Sequence, residues 1–161
     1  MTRVEALGWA GVLVPGVRLF GVTADVVARV DARAHARRSG PVLDRDVLAT
    51  WEWPEARREP EVVRLVGALC ANRSWRRART EAVRLGGFCA TAVVLADAPE
   101  ECLLECAYAG VGVVVGGEVL VTPRPGRVDG ARRRTLDRWV EEVVYERLLT
   151  LGLAPAASST R

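Results

Sequence analysis

Residues 88–122 read FCATAVVLADAPEECLLECAYAGVGVVVGGEVLVT, and this stretch decides the fold. Phe88 to Ala96 is an almost unbroken apolar run rich in β-formers, the pattern of a strand buried on both faces. Asp97-Ala98-Pro99-Glu100 then opens a helix. Asp97 stands where a side chain accepts from first-turn amides, Pro99 suits the first turn, and Glu100 three residues on fits a capping box. Gly110 ends that helix, and Val111–Val115 is a second buried strand. Gly116-Gly117 turns the chain into a hairpin partner, Glu118 to Thr122. Strand, helix, strand and hairpin strand make a β-α-β-hairpin unit, so the fold class is α/β with a small mixed sheet.

Upstream of this unit, Ser74 is placed to cap a helix that Gly86-Gly87 ends. At 100° per residue Trp75, Ala78, Ala82 and Leu85 fall on one side of it, and Arg73, Arg76, Arg77 and Arg84 on the other. After Pro60, the spacing of Val62, Leu65, Val66 and Leu69 predicts another amphipathic helix. Residues 41–59, with Trp51, Trp53 and Pro54, show no clean period and are expected to form a short helical turn and a loop. Further upstream, Thr23, Asp25, Val26, Val27, Val30 and Ala34 predict a capped helix ending near Ser39-Gly40-Pro41. Val12–Val14 and Val17–Val22 read as a strand pair turning at Pro15-Gly16.

Downstream, Pro123, Pro125, Gly126 and Gly130 mark a loop, and Leu136, Trp139, Val140, Val143 and Val144 line one face of a long helix. The expectation is one domain over residues 1–153, its sheet covered by four or five helices, and a flexible tail at 154–161. Of the 161 residues, 50% are hydrophobic and 27% charged, enough apolar surface for a single core. The strongest apolar stretches run only about five residues, far below the roughly 20 needed to cross a bilayer. Glu5, Pro15 and Arg18 interrupt any secretory h-region, so a cytoplasmic location without membrane association is expected.

Every basic residue is arginine, which removes Schiff-base and P-loop-lysine chemistry. One histidine, His35, sits among Arg33, Arg37 and Arg38, and a hydrolytic triad would have to recruit it from across the fold. The glycines at 110–112 and 116–117 do not open a helix after a strand, as a phosphate-cradling loop must. No cofactor is expected. Cys102 and Cys106 lie one turn apart inside an apolar stripe with Leu103 and Ala107, and with Cys70 and Cys89 they read as core thiols, not a metal site.

Charge distribution carries the functional reading. The net charge is only +3, but residues 73–84 hold five arginines against Glu81, and residues 124–138 hold six against Asp129 and Asp137. Guanidinium groups contact phosphate oxygens in pairs, so Arg73, Arg76, Arg77 and Arg84, with Arg132, Arg133 and Arg134 at the start of the last helix, are the candidate nucleic-acid-binding residues. The reading is a non-catalytic protein that binds the phosphate backbone of DNA or RNA. An alternative is an adaptor that pairs with itself or an acidic partner through Trp51 and Trp53, aromatic anchors of the kind interfaces use.

A third reading rests on Asp97, at a strand's carboxyl end, and Glu118, which opens the next hairpin strand. Strand, carboxylate, helix and strand in this order are loosely similar to part of the restriction-endonuclease-like nucleases. The chain departs from that family in lacking its D/E-x-K strand and any lysine, so the resemblance implies at most a degenerate nuclease-like enzyme.

Overall fold

A computed structural model describes residues 2–126 and 133–156. Six strands form one mixed sheet: β1 (Val12–Leu19), β2 (Val22–Val30), β3 (Val63–Ala71), β4 (Ala90–Leu95), β5 (Gly112–Val115) and β6 (Glu118–Val121). They lie side by side in chain order. The pairs β1/β2, β2/β3 and β5/β6 are antiparallel, while β3/β4 and β4/β5 are parallel. The described helices are α1 (Arg3–Ala6), α2 (Ala32–Ala36), α3 (Arg45–Thr50), α4 (Trp75–Leu85), α5 (Glu100–Ala109) and α6 (Thr135–Thr150). This is a single small α/β domain, with the β-α-β-hairpin unit as expected.

The two parallel pairings force crossovers, and α4 and α5 supply them; both cover the same sheet face, and α6 returns along that face to β1 and β3. Ala78, Ala82 and Leu85 of α4, Cys102 and Cys106 of α5, and Val140, Val144 and Leu148 of α6 share one core. It includes Val14, Val17, Val26, Ala68 and Val93 from the strands. The opposite face carries a smaller cluster in which Val4, Leu7 and Trp9 cover Leu69, Ala92 and Val114. Gly67 of β3 permits this: a Cβ there would stand 2.6 Å from the Trp9 ring.

Two predicted helices are strands. Residues 22–30 form β2, in which Val22, Ala24, Val26 and Ala28 are buried while Thr23 and Arg29 are exposed, a period of two that suits β-branched residues better than a helix does. Residues 63–71 form β3, whose register with β2 slips between Val27/Gly67 and Ala28/Leu65. That bulge, with Val66 as its extra residue, puts Leu65 and Ala68 three apart on one face, and so imitates helical spacing. Helix survives here only as the five residues of α2, capped by Asp31.

Pro15-Gly16 is not the hairpin turn but a bulge inside β1, where the Gly16 N–H donates to Asp25 Oδ1 at 3.0 Å. The chain turns at Phe20-Gly21, with φ of +52° and +77°, as a two-residue primed hairpin turn requires. Phe20 is a poor fit to left-handed backbone, and its ring stacks on Phe88 at 5.4 Å and packs on Trp139 at 5.6 Å.

Candidate nucleic-acid interface

The last turn of β3 delivers the chain to Asn72, Arg73 and Ser74. Asn72 Oδ1 accepts from the Ser74 N–H at 3.1 Å, and Ser74 Oγ accepts from the Arg77 N–H at 3.5 Å, so α4 starts where its cap residue predicts. Ala78, Ala82 and Leu85 are buried against the sheet. Arg73, Arg76, Arg77 and Arg84 are exposed. Arg76, Arg77, Thr80, Glu81 and Arg84 line a shallow groove of about 290 Å³ along the outer face.

The arginines divide into two groups. Arg76 bonds Glu101 of α5 at 2.8 Å and lies over the Trp75 ring at 4.3 Å, and Arg79 pairs with Glu105 at 3.0 Å. These two ladder α4 to α5. Arg73, Arg77 and Arg84 have no side-chain hydrogen bond or ion pair among the described residues. Arg77 and Arg84 are seven residues apart, about 10 Å along the helix axis, close to three steps of a duplex strand at about 3.4 Å each.

The start of α6 is arranged differently. Arg133 is 20% exposed and pairs with Glu141, whose side chain is 9% exposed, with Glu61 3.9 Å away. It fastens α6 to the approach to β3 and is not a free donor, contrary to its expected role. Arg134 is 67% exposed, with Nε 3.5 Å from Asp137. Arg132 lies outside the described residues. Arg133 and Arg73 flank opposite ends of β3, roughly 26 Å apart for nine residues of strand, so they do not form one continuous patch.

The two tryptophans part company. Trp51 is 6% exposed and fills the core, which removes it as an interface anchor; Trp53 is 64% exposed. Asp97 is not the cap of α5. The helix starts two residues later than expected, with Pro99 at the N-cap position and no side-chain cap bond, so Asp97 lies two residues before the cap. Its carboxylate is exposed and unpartnered among the described residues. Asp97 lines a cleft of about 690 Å³ at the carboxyl ends of β3 and β4, together with Asn72, Arg73, Trp75 and Pro99. Glu118 is not among the residues lining it. Asn72 and Trp75 were missed as site residues; the signal that could have found them is their place just beyond the end of a parallel strand, where open α/β sheets carry ligands.

His35 is tied inward: its Nδ1 lies 2.8 Å from the hydroxyl of Tyr145, which is 1% exposed. All four cysteines are free and buried, with Cys102 and Cys106 Sγ 4.0 Å apart. Among the described residues no three His, Cys, Asp or Glu side chains stand together to hold a metal ion, and no helix is long and apolar enough to cross a membrane.

Burial pushes the thiols of Cys70, Cys89 and Cys106 up to about 12. Thiolate is the reactive form, so the native protein is expected to resist iodoacetamide at pH 8 and to yield four alkylated cysteines once unfolded, read by mass spectrometry. Because these groups hold their protons more tightly when folded, the stability they confer is whole below about pH 9 and is lost as pH climbs toward 12.

Comparison with protein families, with characterised proteins and with solved structures finds no match.

Proposed function

We propose that this protein binds the phosphate backbone of nucleic acid through the outer face of α4, with Arg73, Arg77 and Arg84 as the principal donors and Arg76 as a shared one. One observation carries the reading: Arg77 and Arg84 on the outer face of α4, and Arg73 just before its cap, are exposed and form no ion pair among the described residues, while neighbouring Arg76 and Arg79 are paired. Unpaired arginines on a rigid, core-anchored helix bring no side-chain partner to break when phosphate arrives. The placement favours backbone contact, which positions a strand, over recognition helices that enter a groove with their first turn.

The test is a salt titration of binding to a labelled duplex and to a labelled single strand, with the Arg73→Gln/Arg77→Gln/Arg84→Gln variant beside the unaltered protein. Each phosphate contact adds about 0.9 to the slope of log Kobs against log salt on a duplex, so the triple variant is expected to lose about 3 from that slope. Absence of binding at low salt, or an unchanged slope in the variant, overturns the reading. All three side chains are exposed and bond nothing among the described residues, so the variant is expected to fold as the parent does.

A further inference from the structure

The cleft beside Arg73 has a composition that a backbone-binding face does not need. Arg73 and Asp97 both line it, yet they form no ion pair with each other or with any other described residue. Opposite charges left apart across one cavity at the carboxyl ends of two parallel strands suit a ligand that is anionic at one end and donates hydrogen bonds at the other. Trp75 supplies an aromatic wall. It is half-buried, packed against the core, and held by the Arg76 guanidinium at 4.3 Å, which in turn is bonded to Glu101. Ala96 and Pro99, on either side of Asp97 in the chain, add apolar surface to the lining.

We infer that this cleft receives one unstacked nucleobase of a single strand, with Arg73 on its phosphate, Trp75 as the aromatic contact and Asp97 reading its hydrogen-bonding edge. The inference rests on the backbone-binding role of α4, and it names the substrate as single-stranded. Arg73 lines the cleft and directly precedes the cap of α4, the helix that carries Arg77 and Arg84, so the cleft and the arginine-bearing helix are neighbours in the chain. Aromatic contact with splayed bases is the usual way proteins hold single strands.

Asp97 makes the cleft selective. An ionised carboxylate only accepts, so it favours a base edge that presents adjacent donors and disfavours one flanked by carbonyl oxygens. Guanine offers a ring N–H beside an exocyclic amino group, a match for both carboxylate oxygens. Cytosine and adenine offer an amino group next to an acceptor nitrogen, and thymine offers one N–H between two carbonyls. The expected order is therefore guanine first and thymine last.

The experiment uses the full chain and short oligothymidylate strands of equal length and charge that carry at the centre a thymine, a guanine or an abasic site. Anisotropy at low salt is expected to show the guanine strand bound about tenfold more tightly than the other two. In the Asp97→Ala variant this preference is expected to vanish, while the salt dependence of binding is unchanged. If the three strands bind alike to the unaltered protein, the cleft does not read a base; if the guanine preference survives the loss of Asp97, Asp97 does not read its edge. Either result overturns the inference and leaves backbone binding by α4 standing, and a carboxylate that merely repels phosphate leads to one of them, because its removal tightens all three strands equally. If no strand binds at low salt, both readings fall together.

Discussion

Replacing Glu142 by alanine is expected to lower the free energy of unfolding by about 3–5 kcal/mol, the cost of stranding the charge of a buried partner. Arg38 and Glu142 are 1% and 8% exposed, and their fork-to-fork contact has bonds of 2.6 and 2.8 Å. Glu142 Oε2 also accepts from the Val42 N–H at 2.7 Å. Arg38 additionally donates to the carbonyls of Pro60 at 3.3 Å and Gly40 at 3.0 Å, and lies 5.3 Å from the centre of the Tyr145 ring. One ion pair thereby joins α6, the segment after α2 and the approach to β3. With Glu142 gone, a buried guanidinium keeps only the Pro60 and Gly40 carbonyls of these partners. A domain of this kind has a total stability of about 5–15 kcal/mol, so the loss is a large fraction of it. Chemical denaturation followed by circular dichroism measures the change. The Arg38→Met/Glu142→Leu double variant is expected to lose much less than the two single variants together, since an apolar pair needs no compensation. A loss below about 1 kcal/mol in Glu142→Ala would mean that the pair is solvated.

The second large effect is expected from Leu148→Ala, a loss of about 2–5 kcal/mol from burial and cavity formation. Leu148 is fully buried near the end of α6, in the cluster it shares with Val14 and Val17 of β1 and with Tyr145. Those strand valines are stiff at χ1 and pair with β2 on either side of the bulge, so they have little freedom to collapse into the space. The midpoint of denaturation should fall with the m-value unchanged, the mark of a stability change that leaves the unfolded chain alone. Neither substitution touches α4, so strand binding by the folded fraction of both variants is expected to match the parent.

The parts of the fold that could be read from sequence are those in which local pattern and tertiary environment agree. In β4, α5, β5, β6 and α6, apolar runs, breakers and helical stripes all give the same answer. β2 and β3 failed because their apolar spacing has two readings. Val26, Val27 and Val30 satisfy a helical face, and the bulge at Val66 shifts β3 by one residue, so that a strand acquires spacings of three and four. Only pairing with a neighbouring strand resolves the choice, and that pairing is not local. For the candidate site, helical geometry alone was enough to place Arg77 and Arg84 outward, while Arg73 lies just before the cap. It could not foretell that Arg76 and Arg79 would meet Glu101 and Glu105, because those carboxylates arrive on another helix. Arg133 turned inward for the same reason, toward Glu141 and Glu61. Asp97 shows the reverse: a two-residue shift in where α5 begins turned an apparent cap into a carboxylate with no partner among the described residues.

Strand order that follows chain order means that each strand pairs with the one made just before it, and the longest connection to close between neighbours is residues 31–62, between β2 and β3. The exception is α6, which reaches back across the molecule to the first hairpin, where Arg147 Nε donates to the Pro15 carbonyl at 3.1 Å. Val14 and Val17, near the start of the chain, thus take their helical cover from residues more than a hundred positions later, so the first hairpin and α6 complete one core together.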